Sequence, residues 1–176
     1  MSTDLILTFI VASSLISISP GPDNIFVLTQ SALYGRKSGL MVTFGLCTGL
    51  ILHTLAVAIG VAALFQTSPL AFTTLKIIGA TYLLYLAWLS FTASKSELSL
   101  SSSTVRSAKE LYMRGIFMNV TNPKVSIFFL AFLPQFTTPE NGALVIRFFI
   151  LGAIFIAVAL LIFSTIALLS GSIGYW

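Results

Sequence analysis

The chain has 176 residues, of which 57% are hydrophobic and only 8% charged, with a mean hydropathy of +1.02. A soluble domain carries about a quarter of its residues as charges, so this composition excludes one and describes an integral membrane protein. The net charge of +4 is no sign of nucleic-acid binding, because the basic residues cluster in short loops, and a single cysteine, Cys47, excludes a disulfide framework and a Cys-based metal site.

The start, "MSTDLILTF", lacks a basic n-region and no small-residue cleavage motif follows, so it reads as a retained span rather than a signal peptide. The first apolar segment runs over 5–35 but is interrupted by "SPGPDN" at 19–24. As one straight helix its roughly 31 residues would extend about 46 Å, well beyond a bilayer core of about 30 Å. A break resolves the excess. Pro20 and Pro22 disfavour a continuous helix. Gly21 suits a helix cap with Pro22 at the first helical position, and Asp23 then falls in the first turn, where a carboxylate complements the dipole.

The second span covers 39–65. Gly45, Gly49 and His53 recur every four residues there and share one helical face, where small residues allow close approach of another helix. His53 is then expected at a helix–helix contact, where an imidazole can carry protons or simply pack. The third span covers 69–93. A serine-rich loop follows, with helix predicted from Thr104. The fourth span, 112–134, holds a second break, "NVTNPK", at 119–124. Asn122 is a good cap and Pro123 a good first helical residue. Lys124 is a cation in a first turn, which opposes the dipole, and it lies deep in an apolar segment. Asp23 is its expected compensation. The fifth span covers 143–170. Lys76 and Arg147 read as interfacial anchors, and Phe128, Phe129, Phe132 and Phe148 as lipid-facing or packing residues.

Basic residues give the topology. Arg36, Lys37, Lys95, Arg106, Lys109 and Arg114 fall in two loops on the same face of a five-span count. Those loops are expected in the cytoplasm and the N-terminus outside. The matching breaks suggest a duplication of three spans after three, which inverts the second copy, as in secondary transporters. The expected division is a first three-helix repeat over 1–93, a serine-rich cytoplasmic loop over 94–111, and a second, incomplete repeat over 112–176. The fold class is all-α, with about five transmembrane helices broken at 19–24 and 121–124.

Three stretches carry a resemblance: "SPGPDNIFVLTQSALYGRKSGL", "GLCTGLILHTLAVAIG" and "RGIFMNVTNPKVSIFFLAFLPQF". They resemble the lysine-exporter / homoserine–threonine-resistance (LysE/RhtB) family of bacterial amino-acid efflux proteins. The resemblance implies export of amino acids or related small metabolites across the bacterial inner membrane, driven by the proton gradient. It also implies six hydrophobic segments where this sequence shows five. The second repeat is therefore expected to lack its last helix, through truncation or with a partner subunit in its place.

Asp23, Asn24, Asn119, Asn122, Lys124 and His53 are the candidate substrate-binding or coupling residues; Pro20, Gly21, Pro22 and Pro123 expose the helix ends. The asparagines can cap or bind. A zwitterion needs an anion acceptor and a cation acceptor a few ångströms apart. Half-helix N-termini with Lys124 suit the carboxylate, and Asp23 suits the ammonium. The expected partners are an amino acid, protons and the lipid bilayer; a homo-oligomer is left open, and no cofactor, metal or nucleic acid is expected. No metal-ligand cluster or nucleophile–base pair is visible, so an enzyme is not expected. The alternative is a non-transporting or inactive truncated subunit in which the intramembrane charges are structural.

Overall fold

A computed structural model describes residues 1–67, scattered helical positions between 70 and 88, and residues 107–137 and 144–173. The described residues are helical without strands: α1 (Thr3–Ile18), α2 (Pro22–Tyr34), α3 (Arg36–Thr67), α4 (Ala108–Val120), α5 (Pro123–Ile127) and α6 (Leu144–Ile173). Within α3 and α6, Arg36–Gly60 and Leu144–Ser172 are long and apolar enough to cross a membrane. The pairs α1–α2 and α4–α5, the latter extended to Phe136, qualify as bent spans, with bends of 60° and 50°. The third expected span and Lys76 lie largely or wholly outside the described residues.

Both breaks form where proline chemistry places them. Ser19 closes α1, its N–H donating to the Leu15 carbonyl at 2.9 Å, and Gly21 is the cap of α2 with Pro22 first in the helix. At the second break Asn122 Oδ1 accepts from the Lys124 N–H at 3.0 Å, and Pro123 opens α5. Beyond α5 the chain loosens into a π turn at Phe128–Phe132 and tightens into a 3₁₀ turn at Leu133–Phe136. Pro134 accounts for the change of ladder, because it has no N–H for an i→i−4 bond and its ring crowds the preceding turn.

The α4 start corrects the sequence expectation of helix from Thr104. Ser107 has extended backbone and caps α4. Its Oγ accepts from the Glu110 N–H while Glu110 Oε2 accepts from the Ser107 N–H at 2.9 Å. The Ser-x-x-Glu spacing is a capping box; residues 104–106 of the expected helix lie outside the described residues.

The central helix is α3, packed along α4, α6 and α2. Over half of its apolar stretch (56%) is buried, against 28% for α6, which leaves α6 the less buried of the two among the described residues. The glycine face predicted on α3 meets α4. A Cβ on Gly45 would collide with the Tyr112 carbonyl, and one on Gly49 would meet the Asn119 side chain at 2.7 Å. Aromatic packing continues the core. Phe128 and Phe129 are buried and approach Phe155 of α6 with ring centroids at 4.9 and 5.2 Å. Phe148 is also buried, and Phe132 packs on this cluster, so these phenylalanines are core packing rather than lipid-facing.

Candidate functional site

The two breaks meet inside the bundle. Asp23 is 1% exposed and Lys124 8%, and both line one small cavity with Ser17, Asn119, Leu50, Val125 and Phe155. Each charge is the second residue of its half-helix, directly after Pro22 or Pro123. Each also reaches across to the end of the half-helix before the other break. Asn119 Nδ2, near the end of α4, donates to Asp23 Oδ2 at 3.2 Å, and Lys124 Nζ donates to the Ser19 carbonyl at the end of α1 at 2.9 Å. The contacts are reciprocal.

This geometry resolves the misplaced cation. Lys124 opposes the dipole of its own half-helix, but its amine sits on the C-terminal carbonyl of α1, the negative end of another dipole. Gly21 makes room for it. Its φ of −173° is ordinary extended backbone, so conformation does not demand glycine there. A Cβ on Gly21 would stand 2.9 Å from Lys124 Nζ and would push the amine from its place. Lys124 uses the Ser19 carbonyl as its hydrogen-bond partner and not the Asp23 carboxylate.

Asn119 joins three elements. Its amide holds Asp23 of α2, and its main-chain carbonyl bonds His53 Nε2 of α3 at 3.2 Å. A carbonyl can only accept, so the bond places a proton on Nε2 and leaves Nδ1 as the basic nitrogen of the neutral ring. The His53 ring also lies against Phe129, with centroids at 5.5 Å. Asn24 serves the first break itself, its Nδ2 donating to the Ser17 carbonyl at 2.7 Å, and Asn122 caps the second. The structure thus brings together Asp23, Asn119, Asn122, Lys124 and His53, with Asn122 facing the Asp23 carboxyl as well as capping the second break, while Asn24 holds the first break in shape.

Unsatisfied polar atoms crowd this region. Asn24 Oδ1, Asn119 Oδ1 and the hydroxyls of Ser13 and Ser17 are buried without a hydrogen-bond partner. Most buried polar atoms in proteins are paired, so this concentration marks a place built to hold something polar. The cavity itself is about 10 Å³, near the threshold for a single water. The site is closed around its own side chains. Sequence reasoning missed Ser13, Ser17 and Ser19. The available signal was the pair of hydroxyls four residues apart in the last turns before "SPGPDN".

The LysE type translocator family model matches residues 14–176. Over 168 residues the chain is 34% identical to a homoserine/homoserine lactone efflux protein of Salmonella typhimurium, covering 96% of this chain and 81% of that one. It is 36% identical over 149 residues to a leucine efflux protein of Salmonella choleraesuis, covering 82% of this chain and 68% of that one. An uncharacterized membrane protein of Bacillus subtilis, YrhP, is 34% identical over 168 residues, covering 90% and 79%. No solved structure matches the chain.

Proposed function

Since the chain belongs to the LysE type translocator family, a family of transporters rather than enzymes, we propose that it is a secondary transporter exporting amino acids or related small metabolites across the bacterial inner membrane by proton antiport. The observation that carries this reading is the meeting of two half-helix starts, one bearing Asp23 and the other Lys124, at one closed cavity.

The chemistry matches a zwitterion. First-turn N–H groups lack intrahelical partners, so the start of α2 offers donors and a positive dipole end to a carboxylate. Lys124 adds a full charge, exchanging the Ser19 carbonyl for the substrate's carboxylate. Asp23 accepts the ammonium in place of the Asn119 amide. Both exchanges loosen the reciprocal contacts between the halves, which links occupancy to opening. A proton arriving at Asp23 weakens the grip on the ammonium and releases the substrate; His53, joined to Asp23 through Asn119, is the accessory proton carrier. Rocking of one inverted repeat (1–93) against the other (112–176) supplies alternating access.

Efflux of labelled homoserine and leucine from preloaded cells tests the reading. Expression of the chain should speed loss of at least one, and a protonophore should abolish the gain. No acceleration for either, with the protein present in the membrane, would leave only the subunit reading.

The basic-residue bias supports an external N-terminus and an internal serine-rich loop. In a background with Cys47→Ser, an impermeant thiol reagent applied to intact cells should label Thr3→Cys and spare Ser102→Cys. The opposite pattern would reverse the orientation.

A further inference from the structure

Two buried hydroxyls on α1 have no hydrogen-bond partner. Elsewhere in the bundle, the buried helical hydroxyls of Ser31, Thr43 and Thr54 return to the carbonyl four residues back, at 2.7, 3.0 and 2.8 Å. Ser13, fully buried, and Ser17, 4% exposed, make no such bond. They lie four residues apart and so share one face of α1. A buried hydroxyl left unpaired costs free energy that a same-shaped apolar group would not. Alanine would fill the same positions without that cost.

Ser17 also lines the cavity that holds Asp23, Asn119 and Lys124. The remaining wall is apolar, from Ile16, Leu50, Val125, Phe155 and Phe163. With the charged groups taken up by the ammonium and carboxylate of an amino acid, a substrate side chain would meet a greasy surface with one polar strip. Ser17 supplies that strip at the cavity, and Ser13 lies one turn back on the same face of α1.

We propose that Ser13 and Ser17 form a side-chain subsite that hydrogen-bonds an uncharged polar group of the exported amino acid, with Ser17 at the cavity and Ser13 one turn back along α1. The inference rests on the exporter reading and adds its selectivity. A site that hydrogen-bonds a hydroxyl discriminates strongly against an analogue lacking it, because its own polar groups are then left unpaired. A purely apolar pocket distinguishes the same two compounds weakly.

Homoserine and norvaline are the matched probes, since they differ by a hydroxyl in place of a methyl. Uptake of each into everted vesicles, which reads export, should favour homoserine in the wild type by about tenfold or more. Ser17→Ala should bring the two rates within about threefold of each other, by loss on homoserine and not on norvaline. Ser13→Ala should act in the same direction, more weakly. Ser17→Thr keeps a hydroxyl and should retain the preference. Thermal unfolding of the detergent-solubilised alanine variants should be unchanged or raised, which separates selectivity from folding. A homoserine preference that survives both alanine substitutions would overturn the subsite and assign the two hydroxyls to a bound water. A wild type that favours norvaline overturns it as well. A wild type that moves neither compound nor any other amino acid overturns the exporter reading, and the subsite with it.

Discussion

Asp23→Asn and Lys124→Met should each reduce the initial rate of export by about 100-fold or more while leaving the protein inserted. The expectation follows from where the two groups sit. Both are buried at the start of a half-helix, and both bond across to the other break. Removing one member of a buried, hydrogen-bonded charge arrangement typically costs about 3–5 kcal/mol, and each 1.4 kcal/mol is a factor of about ten. Lys124→Met also strands the Ser19 carbonyl at the end of α1. Asp23→Asn keeps the shape and a partner for Asn119, so its loss reports the missing charge. Lys124→Arg should fail almost as badly. The guanidinium needs more room than the amine, and the cavity beside Lys124 is only about 10 Å³. Initial efflux rates with membrane content measured by immunoblot check all three. Normal export by both neutral variants would remove the charges from the mechanism. Export restored only in the double variant would make them a structural pair.

The triple substitution Pro20→Ala, Gly21→Ala and Pro22→Ala should abolish export with no loss of inserted protein. Alanine removes helix penalties of about 3 kcal/mol for each interior proline and about 1 for glycine, so a continuous helix becomes favourable where α1 now ends. Straightening takes away the 60° bend and carries Asp23 off the cavity. It also returns the Ser19 carbonyl to the i→i+4 ladder, where the Asp23 N–H would claim it. Lys124 then loses its partner, and the first-turn donors of α2 that would receive a carboxylate disappear. A Cβ at position 21 crowds Lys124 Nζ besides. The substrate should report the same donors: an amino-acid amide should compete at least about tenfold more weakly than the free acid for wild-type export, the loss of one charge-assisted contact. Equal competition by amide and acid, or export by the straightened protein, would reduce the break to a device for fitting an overlong helix into the bilayer.

Several features were legible in the residues alone because they depend on local chemistry. Low charge and high hydropathy dictate the membrane class. Pro20, Pro22 and Pro123 dictate where the helices break, since a missing N–H acts within one turn. Gly21 and Asn122 were recognisable caps, and the Gly45–Gly49–His53 spacing marked the face that meets α4. Even the corrected start of α4 had a local signature, the Ser107–Glu110 capping box.

What the sequence could not supply was the pairing across the bundle. Lys124 meets a carbonyl 105 residues away, and Asn119 an acid 96 residues away. Such partners follow from how α1–α2 and α4–α5 cross, a property of helix packing with no trace in either segment's own pattern. A carbonyl is moreover invisible as a candidate, because every residue has one; only the end of a broken helix, brought beside an amine, makes the Ser19 carbonyl special. The same holds for Ser13 and Ser17. In the sequence they are two serines among many, and only their burial without a hydrogen-bond partner, with Ser17 at the cavity, separates them from the hydroxyls that bond back along their own helices.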